Sequence, residues 1–335
     1  MTQEEAASRS ASESASRAAY KSTYIQVNEV GPRDGLQIEK AMVDTDAKVA
    51  LVDALSECGF ARIEVTSFTS PKAIPALADA QEVMRRIRRK PGVIYTALVP
   101  NVRGLERALE VGTDELNLVM SSSETHNRAN LRMTREQSLA ELKSILRAAA
   151  EQGPLPCNVS LSTAFGCPFD GDVAPTQVLD LALRLAEAGA TGFTLCDTTG
   201  MAYPTQVAEL CQRMETVLPG VPVTIHLHNT RGMALANALA AWQVGVTRFD
   251  AAAGGLGGCP YAPGASGNVN TEELVHMFEC MGVDTGVALT PLMDIVRGLP
   301  ALVQRALPNP LLAAGTRLHT HPAPAWLAER FPAAS

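Results

Sequence analysis

From residue 24 onward, short apolar runs of strand length alternate with longer stretches of helical composition. The apolar runs lie at 24–30, 62–66, 93–99, 115–120, 157–163, 192–196, 223–228 and 248–252. Between them stand segments rich in Ala, Leu, Glu and Arg, such as 178–187 and 233–244, whose residues favour helix. A weak internal repeat supports the alternation. Gly59, Gly112, Gly189 and Gly245 each close a helix-like run. Four and six residues after each glycine come Ile63/Val65, Leu116/Leu118, Phe193/Leu195 and Phe249/Ala251. A glycine suits the left-handed position that ends a helix, and residues i and i+2 share one face of a strand. Eight strand–helix units predict an α/β protein, a (β/α)8 TIM barrel. A doubly wound sheet is the alternative, but the glycine-rich dinucleotide loop expected after its first strand is not found. Further helical segments at roughly 271–281 and 288–306 should pack on or beside the barrel.

The first residues break this pattern. Twelve of residues 1–22 are Ser or Ala, and Glu4, Glu5 and Glu13 argue against a transit peptide. The expected organisation is a flexible tail over 1–22, a catalytic barrel with appended helices over 23–310, and a C-terminal extension over 311–335.

Composition narrows the function classes. The chain has 335 residues, of which 46% are hydrophobic, enough for a large core. A net charge of −7 with 4% aromatics gives neither the basic face nor the stacking platform of a nucleic-acid binder. The longest apolar run, 233–246, is interrupted by Asn237 and Gln243 and is too short to span a membrane. Seven scattered cysteines read as reduced thiols of a cytoplasmic protein.

In a TIM barrel the chemistry sits at the carboxyl ends of the strands. After strand 1 comes Gly31-Pro32-Arg33-Asp34-Gly35-Leu36-Gln37, where a cation and a carboxylate leave side by side. On strand 2, Glu64 lies between Ile63 and Val65; if these face the helices, Glu64 enters the barrel and needs a cation or a metal. Strand 7 ends in His226-Leu227-His228-Asn229, which presents two imidazoles on one face. After strand 8 a 16-residue stretch, 253–268, contains six glycines, with Cys259 near its middle. Such loops are lids or binding loops more often than spacers. Closure of the barrel brings strands 7, 8, 1 and 2 into one arc carrying His226, His228, Asn268, Asp34, Arg33 and Glu64. Imidazole nitrogens combined with hard oxygens suit Mg2+ or Mn2+ better than a closed structural zinc site.

The segment from Val30 to Gln37 followed by Glu39-Lys40 resembles the opening signature of 3-hydroxy-3-methylglutaryl-CoA lyases. Glu64-Val65-Thr66-Ser67-Phe68 with Ser70-Pro71-Lys72, the His226-x-His228 pair, and the loop from Gly255 to Asn268 resemble further motifs of that family. The resemblance covers about residues 24–305. It implies that Asp34, His226, His228 and Asn268 bind the divalent cation. It implies that Arg33 neutralises the thioester carbonyl as it becomes an enolate, with Glu64 in support. It also implies that Cys259 rides a mobile loop as the candidate proton donor, and that Asp197 is functional. An acyl-CoA would be the substrate, with no nucleic-acid or membrane partner; a homo-oligomer is compatible with it.

Three positions depart from the usual lyase pattern: Asn229, where Asp is frequent, Cys196, where Gly is common, and Arg231. They bear on the acyl group more than on the reaction. Arg231 is expected either to pair with a distal carboxylate or to be a surface cation. The alternatives are a lyase for another 3-hydroxyacyl-CoA such as citramalyl-CoA, and a Claisen-condensing synthase, for whose large C-terminal region the chain leaves no room. The run Arg85-Arg86-Ile87-Arg88-Arg89-Lys90 precedes strand 3 and is expected at the opposite, amino-terminal face.

Overall fold

In the computed structural model, residues 22–258, 267–324 and 330 are described. Eight parallel strands close into a barrel in chain order: β1 (Gln26–Glu29), β2 (Arg62–Ser67), β3 (Ile94–Leu98), β4 (Glu115–Ser121), β5 (Cys157–Ser162), β6 (Gly192–Asp197), β7 (Val223–Leu227) and β8 (Arg248–Ala251). All eight expected strands are present. Strand β8 pairs with β1, with Gln26 opposite Arg248 and Glu29 opposite Ala251.

The helices are α1 (Thr45–Ser56), α2 (Ala80–Arg86), α3 (Val102–Glu110), α4 (Glu124–Leu131), α5 (Arg135–Glu151), α6 (Pro175–Ala186), α7 (Pro204–Val217), α8 (Ala234–Gln243), α9 (Thr271–Cys280), α10 (Leu289–Val303) and α11 (Pro310–Ala314). Their starts follow from local sequence. Asp44, Asn101, Ser123 and Thr134 accept the orphan N–H groups of the first turns of α1, α3, α4 and α5. Helices α6 and α7 begin at a proline, which loses no helical hydrogen bond there. The four repeat glycines all have positive φ, from 66° to 106°. Gly59 is needed twice over, because a Cβ there would also lie 2.2 Å from the Gly286 carbonyl oxygen. The C-terminal helices α9 and α10 fall where the two extra helical segments were expected. Helix α11 lies across the expected boundary at 310. Among the described residues no helix is long and apolar enough to cross a membrane.

The outward face of the strands is apolar: Val27, Ile63, Val65, Leu116, Leu118, Phe193, Leu195, Ile225 and Phe249 are buried against the helices. The inward face is polar. Asn28, Arg62, Glu64, Thr96, Glu115, Asn117, Asn158, Thr194, Thr224, Arg248 and Asp250 surround a cavity of about 30 Å³ in the lumen. Branched aliphatics usually fill such a lumen. Here hydrogen bonds between side chains do that work and tie the catalytic end to the barrel wall.

Candidate active site

The chain leaves β1 in a π-helical turn, Gly31–Gly35, with Pro32 at its start. The carbonyl of Val30 accepts the N–H groups of Arg33, Asp34 and Gly35 at 3.2, 2.8 and 3.3 Å. Glycine is required at both ends of the turn. A Cβ at Gly31 would lie 2.6 Å from Glu29 Oε1, and one at Gly35 would lie 2.7 Å from Leu256 Cβ. This tight turn carries Arg33 and Asp34 over the barrel mouth.

Arg33 is buried between two carboxylates. Its Nε donates to Glu64 Oε2 at 2.6 Å and its Nη1 to Asp34 Oδ1 at 2.6 Å. Burial opposes its charge, but Glu64 and Asp34 outweigh burial and hold the guanidinium protonated. Glu64 does enter the barrel, between buried Ile63 and Val65. Its second oxygen accepts from Asn117 Nδ2 at 2.8 Å, and Asn117 Oδ1 accepts from Ser160 Oγ at 2.8 Å and Asn158 Nδ2 at 3.2 Å. Burial pushes the Glu64 carboxyl up, against the pull of Arg33 and Asn117.

Asp34 also faces the two histidines. Its carboxylate and the ring nitrogens of His226 and His228 offer ligand atoms that all lie within 4.8 Å of one another. The two Nε2 atoms are 3.2 Å apart. Cis ligands of an octahedral cation bonded at 2.0–2.1 Å stand about 3 Å apart, so the pair has suitable spacing. Asn268 Nδ2 donates to Asp34 Oδ2 at 2.8 Å and to the Leu256 carbonyl at 2.9 Å. Its Oδ1 is buried without a hydrogen-bond partner among the described residues, a lone-pair oxygen that a cation would satisfy. Burial pushes the Asp34 carboxyl up, but Arg33 first and then His226 and His228 overcome it and hold the group well below the usual carboxylate range. Burial, with His226 beside it, pushes His228 down to about 3, so its ring is neutral. The residues present therefore fit a hard divalent cation: one carboxylate, one amide oxygen and two imidazoles.

Arg33, Asp34, His226 and His228 line one wall of a cavity of about 830 Å³, whose other lining residues include Lys72, Asn117, His126, Met133, Ser160 and Thr198. Cys196 also lines it, with its thiol pushed well up by burial. Asp197 lies next to that wall and is buried. Its Oδ1 accepts the N–H groups of Met201 and Ala202 at 2.7 and 3.1 Å, while its Oδ2 has no hydrogen-bond partner among the described residues. Burial pushes the Asp197 carboxyl up to about 6. Arg231 stands at the surface, as the second expectation had it. It is exposed, and its Nη1 donates to the Thr199 and Gly200 carbonyls at 3.0 and 2.8 Å, pinning the loop after β6. Cys259 lies outside the described residues.

The basic run before β3 stands at the amino-terminal end of that strand, and its members pair with acids: Arg86 with Asp46 at 2.5 Å, Arg88 with Asp53 at 2.9 Å and Lys90 with Glu57 at 2.7 Å. Sequence reasoning missed Asn117, Asp250 and Glu29. Asn117 and Asp250 are ordinary polar residues in strands, and only inward register gives them away. Glu29 precedes the Gly31 turn, is fully buried, and accepts from Gly31 N at 2.7 Å, Ala253 N at 3.0 Å and Thr271 Oγ1 at 2.7 Å. A carboxylate beside apolar Val27 and Val30 was the available signal.

Fold and donor set together define a TIM barrel with an arginine and a cation-type ligand set at the carboxyl ends of its strands. Residues 24–298 match the HMGL-like family, and the chain belongs to that family. It is 45% identical to a hydroxymethylglutaryl-CoA lyase of Bacillus subtilis over 85% of this chain and 95% of that protein. It is 42% identical to an (R)-citramalyl-CoA lyase of Chloroflexus aurantiacus over 87% of this chain and 95% of the relative. Among solved structures, an HMG-CoA lyase from Acinetobacter baumannii in complex with coenzyme A and 3-methylmalate superimposes with a TM-score of 0.87 at 48% identity, covering 91% of this chain and 99% of that one.

Proposed function

We propose that the protein is a divalent-cation-dependent carbon–carbon lyase that cleaves 3-hydroxy-3-methylglutaryl-CoA to acetyl-CoA and acetoacetate. One observation carries the reading: Asp34, His226, His228 and Asn268 converge beside Arg33 at the mouth of the barrel. Asp34, His226, His228 and Asn268 would hold Mg2+ or Mn2+. When bound, such an ion acidifies a coordinated hydroxyl and orients the substrate. Arg33, fixed by Glu64, offers its positive charge where the thioester carbonyl oxygen gains charge. As the C2–C3 bond breaks, its electrons pass into the thioester to form the acetyl-CoA enolate, and C3 becomes the ketone carbon. The hydroxyl proton leaves to a base, and a proton returns to C2. Cys259 is the residue we assign to that last transfer, on the family resemblance. The hydrogen bonds of Arg33 and Asn117 to Glu64 hold the guanidinium in place, so little reorganisation is needed as charge develops.

A second reading is cleavage of citramalyl-CoA to acetyl-CoA and pyruvate. It is favoured by the 42% identical Chloroflexus relative and by Cys196, a side chain on the cavity wall next to the histidine-bearing strand. A panel of 3-hydroxyacyl-CoA thioesters, incubated with Mg2+ and read for acetyl-CoA and for the released keto acid, tests both. Acetoacetate release from 3-hydroxy-3-methylglutaryl-CoA as the fastest reaction is expected. Faster pyruvate release would replace the first reading with the second. Condensation without cleavage would make the protein a synthase. We place the protein in the cytoplasm.

A further inference from the structure

Three polar side chains stand in one layer of the barrel lumen, on three adjacent strands. Asn28 on β1 is in register with Asp250 on β8, and Asp250 is in register with His226 on β7. The side chains follow the register. Asp250 Oδ2 lies 3.3 Å from His226 Nδ1, and Asp250 Oδ1 accepts from Asn28 Nδ2 at 2.9 Å. Asp250 is half-buried and lines both the lumen cavity and the larger active-site cavity. His226 is buried, so its ring nitrogens have few partners to choose among. Nδ1 meets a carboxylate and Nε2 faces His228 and the Asp34 side.

A neutral imidazole carries one proton, and the nitrogen that keeps it cannot bind a cation. A carboxylate can only accept. Placed at Nδ1 it draws the proton to that nitrogen, leaves the Nε2 lone pair bare, and makes the ring a stronger ligand. No other side chain on β7 or β8 does this for the pair: His228 Nδ1 is buried with no hydrogen-bond partner among the described residues. The two histidines are therefore unequal. His226 has a charged neighbour at Nδ1, whereas His228 has none there among the described residues.

We propose that Asp250 is a positioning residue that fixes His226 in the Nδ1–H tautomer, with Nε2 presented to the divalent cation, and that Asn28 holds Asp250 for this task. This rests on the reading of Asp34, His226, His228 and Asn268 as a cation site. Asp250 touches neither substrate nor cation in this scheme and acts only through His226. The isosteric substitution Asp250→Asn places an N–H donor within reach of Nδ1, which would reverse the tautomer and block Nε2.

The test uses the full-length protein, stripped of metal. Free Mn2+ is titrated and bound ion is read by electron paramagnetic resonance, for wild type, Asp250→Asn and Asn28→Ala. In parallel, the 15N shifts of the histidine rings are recorded at a pH where they are neutral. Wild type should bind Mn2+ and show His226 with its proton on Nδ1. Asp250→Asn should bind Mn2+ roughly 10–100-fold more weakly and show the proton on Nε2, while Asn28→Ala should fall between. Equal Mn2+ affinity in wild type and Asp250→Asn overturns the proposal and leaves the cation site standing. Weaker binding with an unchanged tautomer also overturns it, because Asp250 would then act through charge alone. Should Asp250→Asn fail to fold, the wild-type spectrum decides: an Nε2–H tautomer for His226 overturns the proposal. Absence of Mn2+ binding to wild type removes the cation site itself.

Discussion

Arg33, on the turn after β1, meets Glu64 on β2, with Nε and Nη2 of the guanidinium each 2.6 Å from the same carboxylate oxygen, Oε2. The contact fixes the plane of the guanidinium before substrate arrives. Arg33→Gln keeps a polar side chain but removes the charge proposed to meet the forming enolate. It should lower kcat by roughly 10²–10³-fold or more with a much smaller change in KM, as steady-state kinetics will read. Arg33→Lys should not rescue it, because a point charge cannot reproduce the two-pronged contact. A loss confined to KM would make Arg33 a substrate-binding group only.

His226→Ala or His228→Ala should nearly abolish turnover and weaken Mn2+ binding, with the circular-dichroism spectrum unchanged. The two side chains bring their Nε2 atoms to 3.2 Å from each other, so neither can replace the other. Equilibrium dialysis with metal analysis measures the affinity. Full activity of wild type after rigorous chelation would remove the metal from the mechanism.

Neutralising Arg85, Arg88 and Lys90 together should leave KM for the CoA thioester nearly unchanged. Their partners Glu110, Asp53 and Glu57 are also at the amino-terminal end, away from the barrel mouth. Exposed ion pairs of this kind contribute little to stability, up to about 1 kcal/mol each. A tenfold rise in KM with intact stability would place the thioester's phosphates on this face.

Glu29 gives a pH dependence of stability with a definite sign. Burial pushes its carboxyl up to about 7, against the hydrogen bonds from Ala253, Thr271 and Gly31. A group whose pKa is raised on folding favours the folded state below its unfolded value, here 4.5, and that contribution is lost as pH rises through about 7. The shift corresponds to roughly 3 kcal/mol as an order of magnitude. Glu29→Gln retains the acceptor for Gly31 and Ala253 and cannot ionise. Between pH 5 and 8, denaturant titrations of wild type should therefore show a decline in stability that is smaller in Glu29→Gln. Parallel profiles for the two proteins would show that Glu29 does not titrate in this range.

Gly59→Ala should destabilise the protein by roughly 1–3 kcal/mol or more, from the positive φ of 92° and from the Gly286 carbonyl that the new methyl would strike. Thermal unfolding measures it. Gly112→Ala, also at positive φ but with open space around it, should cost less.

The strands and most of the site were legible because their signals are local. The run Ile63-Glu64-Val65 states an inward carboxylate, and His226-x-His228 states two imidazoles on one face. Arg33 and Asp34 stood out because glycines and a proline bracket them. Asp250 was not legible, since Phe249-Asp250-Ala251 reads like any strand with one polar face, and only the pairing of β8 with β7 places it at His226. The polar lumen was missed for the same reason: Thr96, Asn117, Asn158 and Thr194 are unremarkable singly and form a network only through register. The partners of Arg231 were not legible because they are backbone carbonyls, which carry no mark in sequence.

The seam between β8 and β1 sets when the active site comes into being. Asp34 meets Asn268 across 234 residues of chain, Asn28 meets Asp250 across 222, and Glu29 meets Thr271 across 242. A nascent chain that has emerged only as far as His228, just past β7, has both histidines yet neither the Asn268 oxygen nor a paired outer edge on β1. Ligand affinity is therefore a property of the completed ring, and the apo chain meets the whole entropic cost of closing so long a loop through protein contacts alone. An ion held as proposed by Asp34 on one side of the seam and His226 on the other would bind the closed form and not the open one. By mass action it would stabilise the joined first and last strands against parting, a clasp on the youngest joint of the barrel.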